Sequence, residues 1–167
     1  PKDTRALTST AKVFNTNLSI INTVIKSNEN RYKLLIKRIK DILNNKLKNK
    51  KITFLGVTFK PETDDMRESP ALSIIPLLRK RGAKINYYEP TGKKEELNAK
   101  NVSYKSNIKD ACFNSDLLII HTEWNEFKQL NFKKLIKKKN YKIYDMRNLY
   151  SPSNMKKLNI NYYGIGR

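Results

Sequence analysis

The chain has 167 residues, enough for one hydrophobic core with a helical extension. Lys and Arg outnumber Asp and Glu by 35 to 15, which gives a formal net charge of +20, and there is one cysteine, Cys112. A single thiol excludes an internal disulfide, Cys and His pairs at metal spacing are missing, and no apolar run reaches the length that crosses a bilayer.

The basic excess lies in lysine- and asparagine-rich stretches such as "NNKLKNKK" (44–51) and "FKKLIKKKNYK" (132–142), spread along the edges of apolar segments. That distribution reads as solvated lysine. The aromatics sit inside apolar runs, where packing accounts for them. No specific nucleic-acid partner, no membrane and no metal are expected, and the cytoplasm is the expected compartment; a basic nucleic-acid-binding module would rest on net charge alone.

From Thr8 to Leu47 the pattern is helical. Ala11, Phe14, Leu18, Ile21 and Ile25 recur at spacings of three and four, and Tyr32, Leu35, Ile39 and Ile42 repeat the stripe. Ser and Asn in "KSNEN" (26–30) place a break between two helices, or a kink in one. At Lys51 the texture changes. "KITFLGVTF" (51–59), "KINYYE" (84–89), "VSY" (102–104), "DLLIIHT" (116–122), "KIYDM" (142–146) and "INYYGI" (160–165) are strand candidates. Helical pieces are expected between them over 69–82, 92–99, 107–114, 131–138 and 151–158. Alternation at this pitch predicts an α/β fold: a helical arm over 1–49, then a Rossmann-like, doubly wound, mostly parallel sheet over 50–167.

In such sheets ligands collect beyond the carboxyl ends of the strands, so the loop after the first strand carries most information. Gly56 does not open a G-x-G-x-x-G fingerprint, since Val57, Thr58 and Phe59 follow it. In its place a longer loop carries Lys60 and Arg67, with Ser69 as N-cap and Pro70 as first helical residue of the next element. An ammonium and a forked guanidinium beside a helix N-terminus suit a diphosphate. Equally, Lys60, Asp64, Asp65, Arg67 and Glu68 can pair among themselves in a capped surface loop. Arg147 has the same ambiguity, since pairing with Asp145 would make it a cap for its own loop. Cys112 in "DACFNSD" reads as a small buried residue, and His121, alone at a strand end, as structural. Trp124 and Phe127 are expected to pack at the domain surface.

"GVTFKPETDDMRESPAL", with "PKDTRAL" (1–7), "HTEWNEF" (121–127), "YDMRNLY" (144–150) and the ending "YYGIGR", resembles the C-terminal half of the UDP-glucose/GDP-mannose dehydrogenase family from first residue to last. "TEWNEF" and "YYGIGR" look most like the branch that oxidises UDP-glucose. A GDP-mannose or other UDP-sugar branch is the alternative within the family. The resemblance implies an NAD-dependent, two-step oxidation of a UDP-sugar alcohol to the acid, with a thiol holding the intermediate as a thioester. Of the family's G-G-x-C-F-P-K-D motif only Pro1, Lys2 and Asp3 are present, so the cysteine and the G-x-G-x-x-G domain are expected outside this sequence and the chain is expected to be inactive alone. By the same resemblance Asp3 assists thioester hydrolysis, Lys2 and Arg67 contact NAD, and Lys60 and Arg147 contact the UDP-sugar. The helical arm corresponds to the family's central, dimerising helices, which implies a homodimer.

Overall fold

The computed structural model describes residues 2–136 and 140–166, the side chain of Lys2 apart. It divides into two units, residues 1–38 and 39–167. The first contains α1 (Lys2–Val13) and most of α2 (Ser19–Ile42). The expected break at 26–30 is not there: Ser27 to Asn30 lie on the exposed face of a continuous helix, where polar side chains cost little. The chain turns instead after α1. Asn15 takes φ +51, Thr16 N donates to the Ala11 carbonyl at 2.8 Å and Asn15 N to that of Lys12 at 3.2 Å. This is a Schellman cap with asparagine in the position usually given to glycine.

The same cap closes α2, with Asn44 at φ +52 and Asn45 N donating to the Lys40 carbonyl at 2.7 Å. Nine of the eleven non-glycine residues with positive φ among those described are asparagines. Asparagine tolerates the left-handed region best after glycine, so the asparagines of the lysine-rich stretches also end helices and turn loops.

In the second unit six strands form one wholly parallel sheet: β1 (Lys51–Leu55), β2 (Lys84–Tyr88), β3 (Val102–Tyr104), β4 (Leu117–Ile120), β5 (Lys142–Asp145) and β6 (Asn161–Gly164). The strand order is β3-β2-β1-β4-β5-β6. Chain direction across the sheet reverses between β1 and β4, and right-handed crossovers on the two sides of that point carry their helices to opposite faces. β1 and β4 are buried on both faces, which is why β4 reads as an unbroken apolar run and Ile52–Leu55 of β1 as one interrupted only by Thr53, whose hydroxyl donates to the Ala111 carbonyl at 2.7 Å. The connecting helices are α3 (Ala71–Lys80), α4 (Ile108–Cys112), α5 (Asn125–Lys128), α6 (Phe132–Leu135) and α7 (Pro152–Lys157).

Several expectations need adjustment. The expected helix over 92–99 shrinks to one 3₁₀ turn at Glu95–Leu97, and α5 was not anticipated. The helix expected over 131–138 is seen as α6; positions 137 and 138 lie outside the described residues. β1 stops at Leu55 because Gly56, at φ +75, turns the chain. Phe127 is fully buried and Trp124 is 8% exposed, so both belong to the core with Leu55, Leu118, Ile120 and Ile143 rather than to the surface. Cys112 is buried in the same core, which pushes its thiol up to about 12, the state expected of an inert packing residue.

Candidate nucleotide site at the carboxyl edge of the sheet

The register aligns Tyr88, Leu55, Ile120, Asp145 and Gly164 in one row at the carboxyl edge. The ladder runs one residue further: Gly56 N donates to Tyr88 O at 2.9 Å, His121 N to Leu55 O at 3.0 Å and Met146 N to Ile120 O at 3.0 Å. The groups just beyond this row surround the point where the sheet reverses direction, the location at which open α/β sheets bind ligands.

At that point the backbones of β1 and β4 are pressed together. A Cβ added at Gly56 would stand 2.5 Å from Thr122 Cβ, so the glycine is required by contact as well as by its φ. The Thr122 hydroxyl donates to the Thr58 carbonyl at 2.9 Å and lies 3.0 Å from His121 Nδ1. Because that hydroxyl has spent its one proton on Thr58, His121 Nδ1 is the donor of the pair and Nε2 is left as a bare, buried acceptor. Burial, and then the neighbouring Arg147, lower the imidazole pKa to about 3. His121 is therefore a neutral structural residue, as its isolation in the sequence implies.

Glu89, directly after β2, is fully buried. Its Oε2 accepts from Val57 N at 2.7 Å and from Thr58 N at 3.2 Å, and shares the single proton of the Thr58 hydroxyl, 3.3 Å away, with the Lys60 carbonyl at 3.1 Å, while Oε1 accepts from the Thr91 hydroxyl at 3.4 Å. Burial pushes the carboxyl pKa up, opposed by the Val57 and Thr58 amides and by Lys94.

Arg147 spans three segments. Its Nε donates to the His121 carbonyl at 2.8 Å, Nη2 reaches the Phe59 carbonyl at 3.5 Å, and Glu123 Oε2 lies 2.8 Å from Nε. Nε–H is aimed at the carbonyl, so Glu123 acts as a counter-charge more than as a hydrogen-bond acceptor. The loop-capping alternative is half right: Asp145 does cap the turn, accepting from Arg147 N at 2.9 Å, Tyr150 N at 3.2 Å and Tyr162 hydroxyl at 2.8 Å, but the guanidinium goes elsewhere. Arg147 is about a third exposed, with N–H groups available beyond those it spends on the protein.

Lys60 is exposed in the loop after Thr58, whose hydroxyl donates to the Lys60 carbonyl at 3.1 Å. That loop is closed by Phe59 N donating to Asp65 O at 3.0 Å. Arg67 forks onto Asp65, with Nε–Oδ1 at 3.0 Å and Nη2–Oδ2 at 2.8 Å, and its side chain is 88% exposed. The guanidinium and the Arg67 amide hold the Asp65 carboxyl down at about 2. The internal pairing weighed for this loop is thus present for Asp65 and Arg67. Ser69 caps α3, accepting from Ala71 N at 3.2 Å and donating to Val57 O at 2.5 Å, which ties the helix start to the end of β1. Lys60 and Arg147 therefore stand on loops that meet at Phe59. Asp3, exposed in the first turn of α1, belongs to the other unit, and the side chain of Lys2 lies outside the described residues. Among the described residues no three His, Cys, Asp or Glu side chains gather as a metal site, and no helix is long and apolar enough to cross a membrane.

A parallel sheet in this order, with cationic groups gathered beyond its carboxyl edge, defines a nucleotide-binding domain of Rossmann type. Residues 53–152 match the UDP binding domain of the UDP-glucose/GDP-mannose dehydrogenase family, and the chain belongs to that family. UDP-glucose 6-dehydrogenase of Rickettsia conorii is 36% identical over 170 residues, which cover 99% of this chain and 39% of the relative. The Rhizobium meliloti enzyme of the same name is 35% identical over 174 residues, covering 100% of this chain and 39% of its own length. The chain thus spans about two fifths of the relatives it matches. Among solved structures, a UDP-glucose dehydrogenase from Pyrobaculum islandicum superposes with a TM-score of 0.80 at 25% identity, covering 98% of this chain and 36% of that one. The fold is shared by an NDP-N-acetyl-D-galactosaminuronic acid dehydrogenase from Methanosarcina mazei, with a TM-score of 0.84 at 24% identity, over 99% of this chain and 37% of that one.

Proposed function

We propose that this chain is the UDP-sugar-binding portion of an NAD-dependent UDP-glucose 6-dehydrogenase, in which Lys60 and Arg147 hold the substrate. The observation that carries this reading is the match to enzymes of that name over essentially the whole chain, combined with two cations on abutting loops at the sheet's switch point. A diphosphate complements these two cations, and the fixed fork of Arg147, braced by His121 O and Glu123, orients it without further ordering. Two molecules of NAD, bound in turn by the parent enzyme, would supply the acceptor for one hydride each. The β1 turn of this domain does not fit a dinucleotide pyrophosphate, because Glu89 already takes up its amides. In the parent enzyme Arg67 contacts a cofactor held by another domain, and Lys2 contacts the same cofactor. Asp3 handles the water that cleaves the thioester, whose sulfur comes from outside this sequence. The chain alone binds and does not turn over. The exposed Phe14, Ile20 and Leu34 of the helical arm, each two thirds exposed or more, support a second copy of the chain as partner through α1 and α2.

Calorimetry with UDP-glucose tests the reading. The chain should bind UDP-glucose and UDP, and Lys60→Ala and Arg147→Ala should each weaken binding by roughly tenfold or more, the range of a lost charge-assisted hydrogen bond. Absence of binding by the unmodified chain, or affinities in the two variants equal to that of the unmodified chain, would refute it.

A further inference from the structure

In dinucleotide-binding domains of this topology, the β1 turn offers backbone amides to a pyrophosphate, and an acid at the end of β2 faces outward to a ribose. This chain keeps both positions and uses them on each other. Gly56 makes the turn, and the acid after β2 is Glu89, whose fully buried carboxylate sits on the consecutive amides of Val57 and Thr58. Consecutive N–H groups converging on one oxygen form an anion-binding nest. The Thr58 hydroxyl, 3.3 Å from the same oxygen, completes it, and Thr91 fixes the other oxygen.

We infer that the nest at Gly56–Thr58 is an anion site whose resident ligand is the chain's own Glu89 carboxylate, which keeps external anions off the turn. Glu89 is in this sense a specificity-determining and positioning residue. It denies the turn to a phosphate, and by fixing Val57 and Thr58 it fixes the turn whose Thr58 hydroxyl holds the Lys60 carbonyl. Thr122 reinforces the closure from β4 by donating to the Thr58 carbonyl. Diphosphate recognition is thereby shifted outward, from backbone amides to the side chains of Lys60 and Arg147. This last step rests on the proposed UDP-sugar reading; the occupancy of the nest by Glu89 does not.

Chemical rescue with formate, a free carboxylate of the same charge and width, tests the inference on the 167-residue chain. Glu89→Ala empties the nest. At formate about fourfold above its dissociation constant the variant's unfolding midpoint should rise by about 2–4 °C over sodium chloride at equal ionic strength. The Val57 and Thr58 amide resonances should shift saturably with it. The unmodified chain should show neither response. Saturable shifts of those two amides in the unmodified chain, or no formate-specific response in the variant, would overturn the inference. If Glu89→Ala does not fold, Glu89→Gln keeps the side-chain size and removes the charge. The Val57 and Thr58 amide protons should then move upfield together, and unchanged resonances would equally overturn it. Formate carries neither uracil nor sugar, so failure here leaves UDP-glucose binding to be judged by its own calorimetry.

Discussion

His121 offers the sharpest test of how the carboxyl edge is built, because it is the only histidine in the chain and its signals need no assignment. The fold holds its imidazole neutral, with a pKa near 3 against an ordinary 6.5. Below pH 6.5 the unfolded chain takes up a proton at this site and the native chain does not. The unfolded state then binds more protons, so stability is fully present above pH 6.5 and falls as pH drops toward 3. At pH 5.0 the unfolded imidazole is almost wholly protonated, and the loss amounts to about 2 kcal/mol relative to pH 7.5. That is a large share of the 5–15 kcal/mol typical of a domain. The perturbation is His121→Asn, which keeps a donor toward Thr122 and removes the titration. Urea unfolding at both pH values should show the unmodified chain losing about 2 kcal/mol more than the variant over this interval. The imidazole resonances of the folded chain should stay in the neutral form down to pH 5. Equal losses in the two proteins, or an imidazole titrating near 6.5 in the native state, would refute the reasoning.

Gly56→Ala should destabilise by about 3 kcal/mol or more, the left-handed φ costing ~1–2 kcal/mol and the Thr122 contact adding to it. Chemical denaturation checks this, and a loss below 1 kcal/mol would mean that β1 and β4 are not pressed together at the switch point. The Asp65 carboxyl should titrate near pH 2 by carbon-detected NMR and return toward the ordinary value in Arg67→Ala. Because its folded pKa is depressed, this pairing favours the folded state above the ordinary aspartate range and is lost as pH falls toward 2. Cys112 should resist aromatic disulfide reagents in the native chain and react at the unfolding rate; rapid labelling of folded protein would contradict its burial.

Much of the fold was legible in the sequence because the sheet is parallel and buried. Leu117–Ile120 is apolar without alternation and Ile52–Leu55 is so apart from Thr53, a pattern that few structures other than a doubly covered strand produce at that length. The misplaced helix break has a plain cause. Ser27 and Asn28 carry the composition of a break but sit on a solvent face, while the true stop depends on Asn15 adopting a left-handed conformation, which composition does not reveal.

At the site, Lys60, Arg67 and Arg147 were legible as cations following strands, and the Asp65–Arg67 pairing as one of two alternatives. The acceptors that orient them were not. Glu89, Thr58, Thr122 and Glu123 act through contacts between residues 24 to 64 positions apart, which no local pattern carries. One signal was available for Glu89: an acid directly after the second strand, the place where Rossmann domains put their ribose ligand. Its inward direction required coordinates.

The central claim, that this domain holds a UDP-sugar at the carboxyl edge of its sheet, is tested most directly by mapping UDP binding onto the backbone amides by NMR. The largest changes should fall at Phe59, Lys60, Glu123 and Arg147, saturate with a single dissociation constant, and be lost in Arg147→Ala. Changes centred on the amino edge of the sheet, around Lys46, Lys50 and Lys142, or no saturable change at all, would contradict it.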